Sequence, residues 1–336
     1  MRKARRIGGL HRHRSVGTSA PKKSWLRRNG VTLVLAVVLA IGIGLLLYPS
    51  VSNWWNQRNQ SQVVMQYASA VSSMTDEQYS HMLGEAQAYN QKLAETGPLW
   101  SMTADEQNEY DSILDVDGNG VMGYISIPKI NVELPIYHGT DDSVLQTSIG
   151  HLAGTSLPVG GESTHTVLSG HRGLPSAKLF TDLDQLTEGD TFTITVLNTT
   201  LTYQVDQIRI VDPTDLSDLQ IEEGQDLCTL VTCTPYGINT QRLLVRGHRV
   251  PNANGDAQII AEAMQVRPVD IAGVAVIVVL LALIAYTFLR MRRRSKAAEI
   301  ERSFFEEHGL ERAHVDPYDE QVQSLLQQLR DYFSKR

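Results

Sequence analysis

Apolar positions change their period several times along the chain. Val31 to Leu47 (VTLVLAVVLAIGIGLLL) and Ile271 to Leu289 (IAGVAVIVVLLALIAYTFL) are continuous apolar runs without a charged residue. Each is long enough to cross a hydrocarbon core as a helix, which takes about 17 to 25 residues. From Gln57 to Glu95 apolar side chains recur at three and four, through Val64, Tyr67 and Val71 and again through Met82, Ala86, Tyr89 and Leu93, the spacing of amphipathic helices. Thr75 with Gln78 three on forms a capping box that starts the second of these helices, and Gly97-Pro98 ends it. Residues 98–120 are polar, acidic and irregular, so a long surface loop is expected there. Beyond Val121 the pattern turns to short β-branched segments (MGYISI, VELPIY, HTVLSG, TFTITVL, LTYQVDQIRIV, DLCTLVTC, RLLVRGHRV) separated by Gly, Pro, Asn and Asp. Seven or eight such strands predict a mainly β domain closed as a barrel, with short helices near Ser143–Thr147 and over Ser176–Leu183. Val322, Leu325, Leu326, Leu329, Tyr332 and Phe333 lie at helical spacing near the C-terminus and predict one more amphipathic helix.

Charge gives these segments an orientation. The chain has 336 residues, with 30 Lys+Arg against 37 Asp+Glu, a net of −7. Residues 1–30 hold ten basic residues and no acid, 31–289 hold 10 basic and 28 acidic, and 290–336 hold ten basic and nine acidic. Basic clusters at Lys22–Arg28 and Arg290–Lys296 flank the two apolar runs. Such flanks stay on the cytoplasmic side, so both termini are expected inside and residues 49–270 outside. The expected division is a basic leader (1–30), a first anchor or cleaved signal segment (31–48), an outer helical region (49–97), a loop (98–120), a barrel (121–250), a linker (251–270), a second transmembrane helix (271–289) and a cytoplasmic tail (290–336). Absence of a clear Ala-x-Ala site before Trp54 and Trp55 favours the uncleaved anchor. The 42% hydrophobic content excludes a disordered chain.

The chemistry starts from two cysteines, Cys228 and Cys233. They stand five apart in one predicted strand, hence on opposite faces and about 16 Å apart, too far for a disulfide. Cys228 suits a buried apolar position. Cys233 ends the strand TLVTC beside the loop text Thr234-Pro235-Tyr236-Gly237, where a side chain faces a cleft, and it is the candidate nucleophile. A thiol nucleophile needs a proton-transfer partner and a cation for the oxyanion. Among the outer histidines, His171 alone is wedged between a strand and a Gly/Pro turn (LSGHRGLPSAKLF). Among the outer arginines, Arg242 opens the strand after the cysteine loop, so a hairpin folds it back toward Cys233. Arg246 lies on the same face ~13 Å further along, and Arg249 faces the other way. Spacing alone leaves His171 and Arg242 as candidates. No H-E-x-x-H or G-x-S-x-G is present, so metallohydrolase and serine-hydrolase chemistry lack support, and no cofactor, metal or nucleic-acid partner is expected.

TLVTCTPYGINTQRLLVRGHR (Thr229–Arg249), VLSGHRGLPSAKLFTDLDQL (Val167–Leu186) and VMGYISIPKINVELPIYHGT (Val121–Thr140) together resemble the class C, pilus-assembling sortases. The resemblance covers roughly Gln57 to Arg249 and the two-anchor layout, and TLxTC followed nine residues on by Arg is a specific motif. It implies an eight-stranded sortase barrel, with Cys233 as nucleophile, His171 as acid/base and Arg242 steadying substrate and oxyanion. It also implies transpeptidation: an LPxTG-like sorting signal of a pilin is cleaved through a thioacyl enzyme and joined to a lysine of the next pilin. The alternatives are a housekeeping-type sortase that anchors proteins to peptidoglycan and a non-catalytic membrane-bound binding protein.

The chain departs from the class C pattern where many members carry an Asp-Pro-aromatic lid. Residues 98–120 contain no Asp-Pro, and Trp100, Tyr110 or Asp111 are the candidates to take that role. Asp115-Val-Asp117-Gly-Asn119-Gly120 matches the start of a calcium loop, but the position that needs a bidentate Glu is Ser126, so a plain turn is expected. The chain is not itself a wall-anchored substrate: QVRPVD precedes Ile271, and the nearest look-alike pentapeptide, Leu157–Gly161 (LPVGG), is mid-domain.

Overall fold

The computed structural model describes residues 25–252 and scattered helical positions between 282 and 331. The leader up to residue 24, nearly all of the linker, most of the second apolar run and most of the tail lie outside the described residues, and with them the expected second span and tail helix. Contacts divide the chain into one unit of residues 1–43 with 271–336 and another of 44–270.

The first apolar run and the first predicted outer helix are one element. Helix α1 spans Trp25–Ser72 and passes through Pro49. It is the one helix among the described residues long and apolar enough to cross a membrane. Leu35, Val38, Leu39, Ile41, Leu45 and Leu46 on it are all exposed. Its C-terminal part docks by polar groups: Asn56 Nδ2 and Gln60 Nε2 donate to Thr147 O at 3.0 and 2.7 Å. Buried Tyr67 donates to Met122 O at 2.9 Å and accepts from Leu197 N at 2.8 Å. Helix α2 (Asp76–Thr96) starts at the Thr75/Gln78 capping box and ends at Gly97, as the sequence predicts. Its buried Asn90 clasps both backbone groups of Leu157, at 3.0 and 2.7 Å.

Eight strands follow: β1 (Val121–Ile127), β2 (Val132–His138), β3 (Ile149–His151), β4 (Thr164–Gly170), β5 (Thr191–Val196), β6 (Thr199–Val211), β7 (Asp226–Thr234) and β8 (Gln241–Val250). They close in the order β1-β2-β3-β4-β7-β8-β6-β5, so that no sheet edge is left open. β2–β3 and β4–β7 are parallel and the other pairs antiparallel. Alternate side chains point inward, and Leu168, Phe192, Cys228, Leu230, Leu243 and Val245 fill the core.

Two expectations are corrected. Residues 98–120 are not an irregular loop: helix α3 (Ala104–Ser112) is capped by a Thr103/Glu106 box, and Tyr110, Ile113 and Leu114 are buried. Only Tyr110 in that helix is buried, so no apolar stripe announced it. Residues 176–183 form no helix. Ala177, Phe180 and Leu183 are buried at helix-like spacing, but Leu179 is left-handed at φ 40° and only a 3₁₀ turn, Leu183–Gln185, ends the stretch. The short helix α4 (Asp142–Leu145) lies close to its predicted place. In the calcium-like stretch, Asp115 and Asp117 accept turn hydrogen bonds from Gly120 N and Asn119 N at 2.9 and 3.2 Å.

Tyr110 ties α3 to the barrel through a buried histidine. Its hydroxyl lies 2.9 Å from His151 Nδ1 and accepts from Gly139 N at 3.0 Å. His151 Nε2 sits 2.9 Å from the carbonyl of Ser156, which only an N–H can satisfy, so in the neutral ring Nδ1 is the acceptor facing the Tyr110 hydroxyl. Burial, the largest cause, pushes the His151 pKa down to about 4. The unfolded chain therefore takes up this proton first as the pH falls, and stability is full above ~6.5 and lost progressively toward about 4. Urea melts at pH 7 and pH 4.5 should show the protein losing roughly 2 kcal/mol more than His151→Gln does; equal losses in the two would contradict the neutral buried ring.

Candidate active site

The three predicted residues come together because two registers align. In the β7–β8 hairpin Cys233 pairs with Arg242. On the other side of β7, the parallel β4 ladder runs to Ser169↔Val231. His171 and Cys233 lie two positions beyond that pair on their respective chains. Neighbouring strands are about 4.8 Å apart, so Cys233 and Arg242 are direct neighbours on β7 and β8, and His171, the residue after β4, follows at the same end of the barrel. Thr229, Val231 and Cys233 share a face of β7. Val231 on that face packs with Val167, Leu219 and Leu244 in a small cluster separate from the barrel core, so Cys233 looks out of the barrel.

Local structure holds this end of the barrel. Buried Thr232 donates to Gly170 O at 2.7 Å, joining the residues that precede the thiol and the imidazole. Gly170 is required at its place, because a Cβ there would meet the Phe180 ring at 2.7 Å and Ile149 at 2.9 Å. Phe180 N in turn donates to His171 O at 3.2 Å and closes the loop. That loop is also held from α1, where Asn53 Oδ1 accepts from Lys178 N at 2.7 Å.

The barrel leaves these three groups uncommitted while using their counterparts for structure. Of its five histidines, His138, His151 and His165 have both ring nitrogens hydrogen-bonded, and His248 faces Asp206. The His171 ring makes no hydrogen bond or ion pair among the described residues. Of the five arginines, Arg172 pairs with Asp184, Arg209 with Asp218, Arg246 with Asp206 and Glu222, and Arg249 with Asp226. Arg242 has no carboxylate partner among the described residues and donates only to the carbonyls of Gln241 and Asn239, at 3.2 and 3.5 Å. Of the two free thiols, Cys228 is buried and Cys233 partly exposed; burial, with Asp226 nearby, pushes the Cys228 thiol well up.

The segment 98–120 makes no hydrogen bond, ion pair or ring contact with His171, Cys233 or Arg242 among the described residues. Tyr110 is buried against His151 and His138, and Asp111 accepts from Gln107 at 2.9 Å. Trp100 is partly exposed. Sequence reasoning passed over Thr232 and Asn53, because neither bears on chemistry until β4 and β7 are known to be neighbours.

The sortase domain family matches residues 125–250. The crystal structure of sortase C1 from Streptococcus agalactiae is 59% identical in sequence, with a TM-score of 0.56, over 57% of this chain and 99% of that one. The chain belongs to the sortase family. Sortases are cysteine transpeptidases, and the closed barrel with its N-terminal helices is the sortase fold. Streptococcus pneumoniae sortase C, whose structure bears on catalysis and pilin substrate specificity, is 45% identical with a TM-score of 0.52, over 59% of this chain and 100% of that one. Bacillus subtilis sortase D is 34% identical over 131 residues, 38% of this chain and 63% of that sortase. Streptococcus agalactiae sortase A is 30% identical over 128 residues, 37% of this chain and 51% of that protein. The chain thus spans between about half and two thirds of these curated sortases.

The two thiols of this sortase should separate by accessibility. In the folded protein a maleimide should label Cys233 alone, with Cys228 reacting only after denaturant is added. Mass mapping of the labelled peptides checks this, and native labelling of Cys228 at a comparable rate would contradict the inward placement of that side chain.

Proposed function

We propose that this sortase is a membrane-anchored transpeptidase of the pilus-assembling class. Cys233 attacks the carbonyl carbon of threonine in an LPxTG-like signal, and the oxyanion forms beside the Arg242 guanidinium. The Thr–Gly bond breaks as His171 delivers a proton to the departing glycine amine, leaving a thioacyl enzyme. The ε-amine of a pilin lysine then attacks the thioester, His171 takes up its proton, and the thiolate is released as the new amide forms. The observation that carries the reading is one partly exposed thiol at the same barrel end as an imidazole without a hydrogen bond and a guanidinium without a carboxylate partner among the described residues. Arg stays charged at any working pH, so it serves as the fixed cation and the imidazole as the proton carrier. The pilin assignment is supported by the class C sortases among the solved structures it matches. Membrane anchoring is supported by α1, and a two-pass topology with both termini cytoplasmic by the basic clusters at Lys22–Arg28 and Arg290–Lys296.

Full-length protein incubated with an LPxTG-type peptide and two acceptors, a pilin lysine peptide and a glycine oligomer, should join the signal to the lysine side chain. Preferential joining to glycine would favour wall anchoring instead. Arg242→Ala should lower kcat about 10²- to 10³-fold, the usual loss on removing an oxyanion donor. Cleavage that survives Cys233→Ala would sink the mechanism.

A further inference from the structure

The β4–β7 ladder ends before the reacting pair, so something else must hold His171 and Cys233 at a fixed separation. Beyond Ser169↔Val231, two side-chain hydrogen bonds connect the chains among the described residues: Thr232 to Gly170 O at 2.7 Å, and Arg172 Nη1 to Thr234 Oγ1 at 3.3 Å. Arg172 directly follows His171 and Thr234 directly follows Cys233. The second bond therefore lies past the pair and the first before it.

Arg172 is built in on several sides. Its side chain is only 10% exposed, and its Nη2 is ion-paired with Asp184. Its guanidinium carbon lies 5.9 Å from the centre of the Tyr236 ring. The same ring covers Gly173, where a Cβ would meet it at 2.9 Å and where φ is +79°. Thr234 is itself buried. The buried Arg172 Nε has no hydrogen-bond partner, a cost that a group placed for stability alone does not ordinarily carry. A planar fork can reach a carboxylate, a hydroxyl and an aromatic face from one position, which an ammonium cannot. Because Asp184 already neutralises it, Arg172 differs from Arg242, which has no carboxylate partner among the described residues.

We propose that Arg172 is a positioning residue, a strut between the His171 loop and the end of β7 that sets the imidazole against the thiol. The inference rests on Cys233 and His171 being the reacting pair. A displacement of about 1 Å in such a pair costs on the order of 10²-fold in rate.

The test uses full-length protein in detergent, comparing wild type, Arg172→Ala, Arg172→Lys and Thr234→Val. Steady-state cleavage of an LPxTG-type peptide is measured together with the pH profile of Cys233 alkylation by iodoacetamide. Arg172→Ala should lose about 10²-fold in kcat with KM changed by less than about threefold, and its alkylation profile should move toward that of His171→Ala. Arg172→Lys should recover only part of the rate. Thr234→Val, which keeps the volume and removes the acceptor, should lose roughly tenfold in kcat. Wild-type kcat in a folded Arg172→Ala would overturn the proposal, as would a kcat loss with an unshifted alkylation profile. If Arg172→Ala does not fold, wild-type kcat in Thr234→Val overturns it. Wild-type protein whose cleavage does not depend on Cys233 would instead refute the reading of the reacting pair, so the two failures are distinguishable.

Discussion

The parallel pairing of β4 with β7 is the constraint on which the site depends. An antiparallel hairpin brings Arg242 to Cys233 by local folding, because the loop between them is short and the register Cys233↔Arg242 follows from it. His171 has no such route. It stands 62 residues before Cys233, and only the β4–β7 ladder, running from Thr164↔Asp226 to Ser169↔Val231, carries both chains to the same end of the barrel. A slip of one residue in that ladder would turn alternate side chains to the other face. It would send the residues now packed inside, Leu168 and Leu230 among them, toward solvent. The core thus fixes the register, and the register fixes the site.

What surrounds the site follows the same economy of polar groups. His138, His151 and His165 are tied to backbone carbonyls or hydroxyls, and four of the five barrel arginines face carboxylates. Buried polar groups left unpaired are costly, so these partners are expected of any stable barrel. Among the described residues the His171 ring has no such partner, and Arg242 reaches only the carbonyls of Asn239 and Gln241.

Much of this was legible in the residues and some was not. β-branched alternation located the strands, the capping box located α2, and the loop text after TLVTC singled out Cys233. The turn beside His171 was visible, but its adjacency to Cys233 was not, because a parallel pairing across 62 residues leaves no periodic trace. Helix α3 was missed because Tyr110 is its sole buried side chain. The stretch 176–183 misled for the opposite reason: three buried apolar residues in successive turns imitate a helical face. The role of α1 in steadying the His171 loop through Asn53 could not be read either, since an asparagine just beyond an apolar run carries no signal of what it caps.

The central claim is that the site places chemistry on Cys233 alone. Intact-mass spectrometry of the full-length protein after incubation with an LPxTG-type peptide, followed by peptide mapping, tests it most directly. An acyl adduct confined to Cys233, absent in Cys233→Ala and released by hydroxylamine as a thioester would be, is the predicted result. An adduct on Cys228, or peptide cleavage with no cysteine adduct and undiminished in Cys233→Ala, would contradict the account.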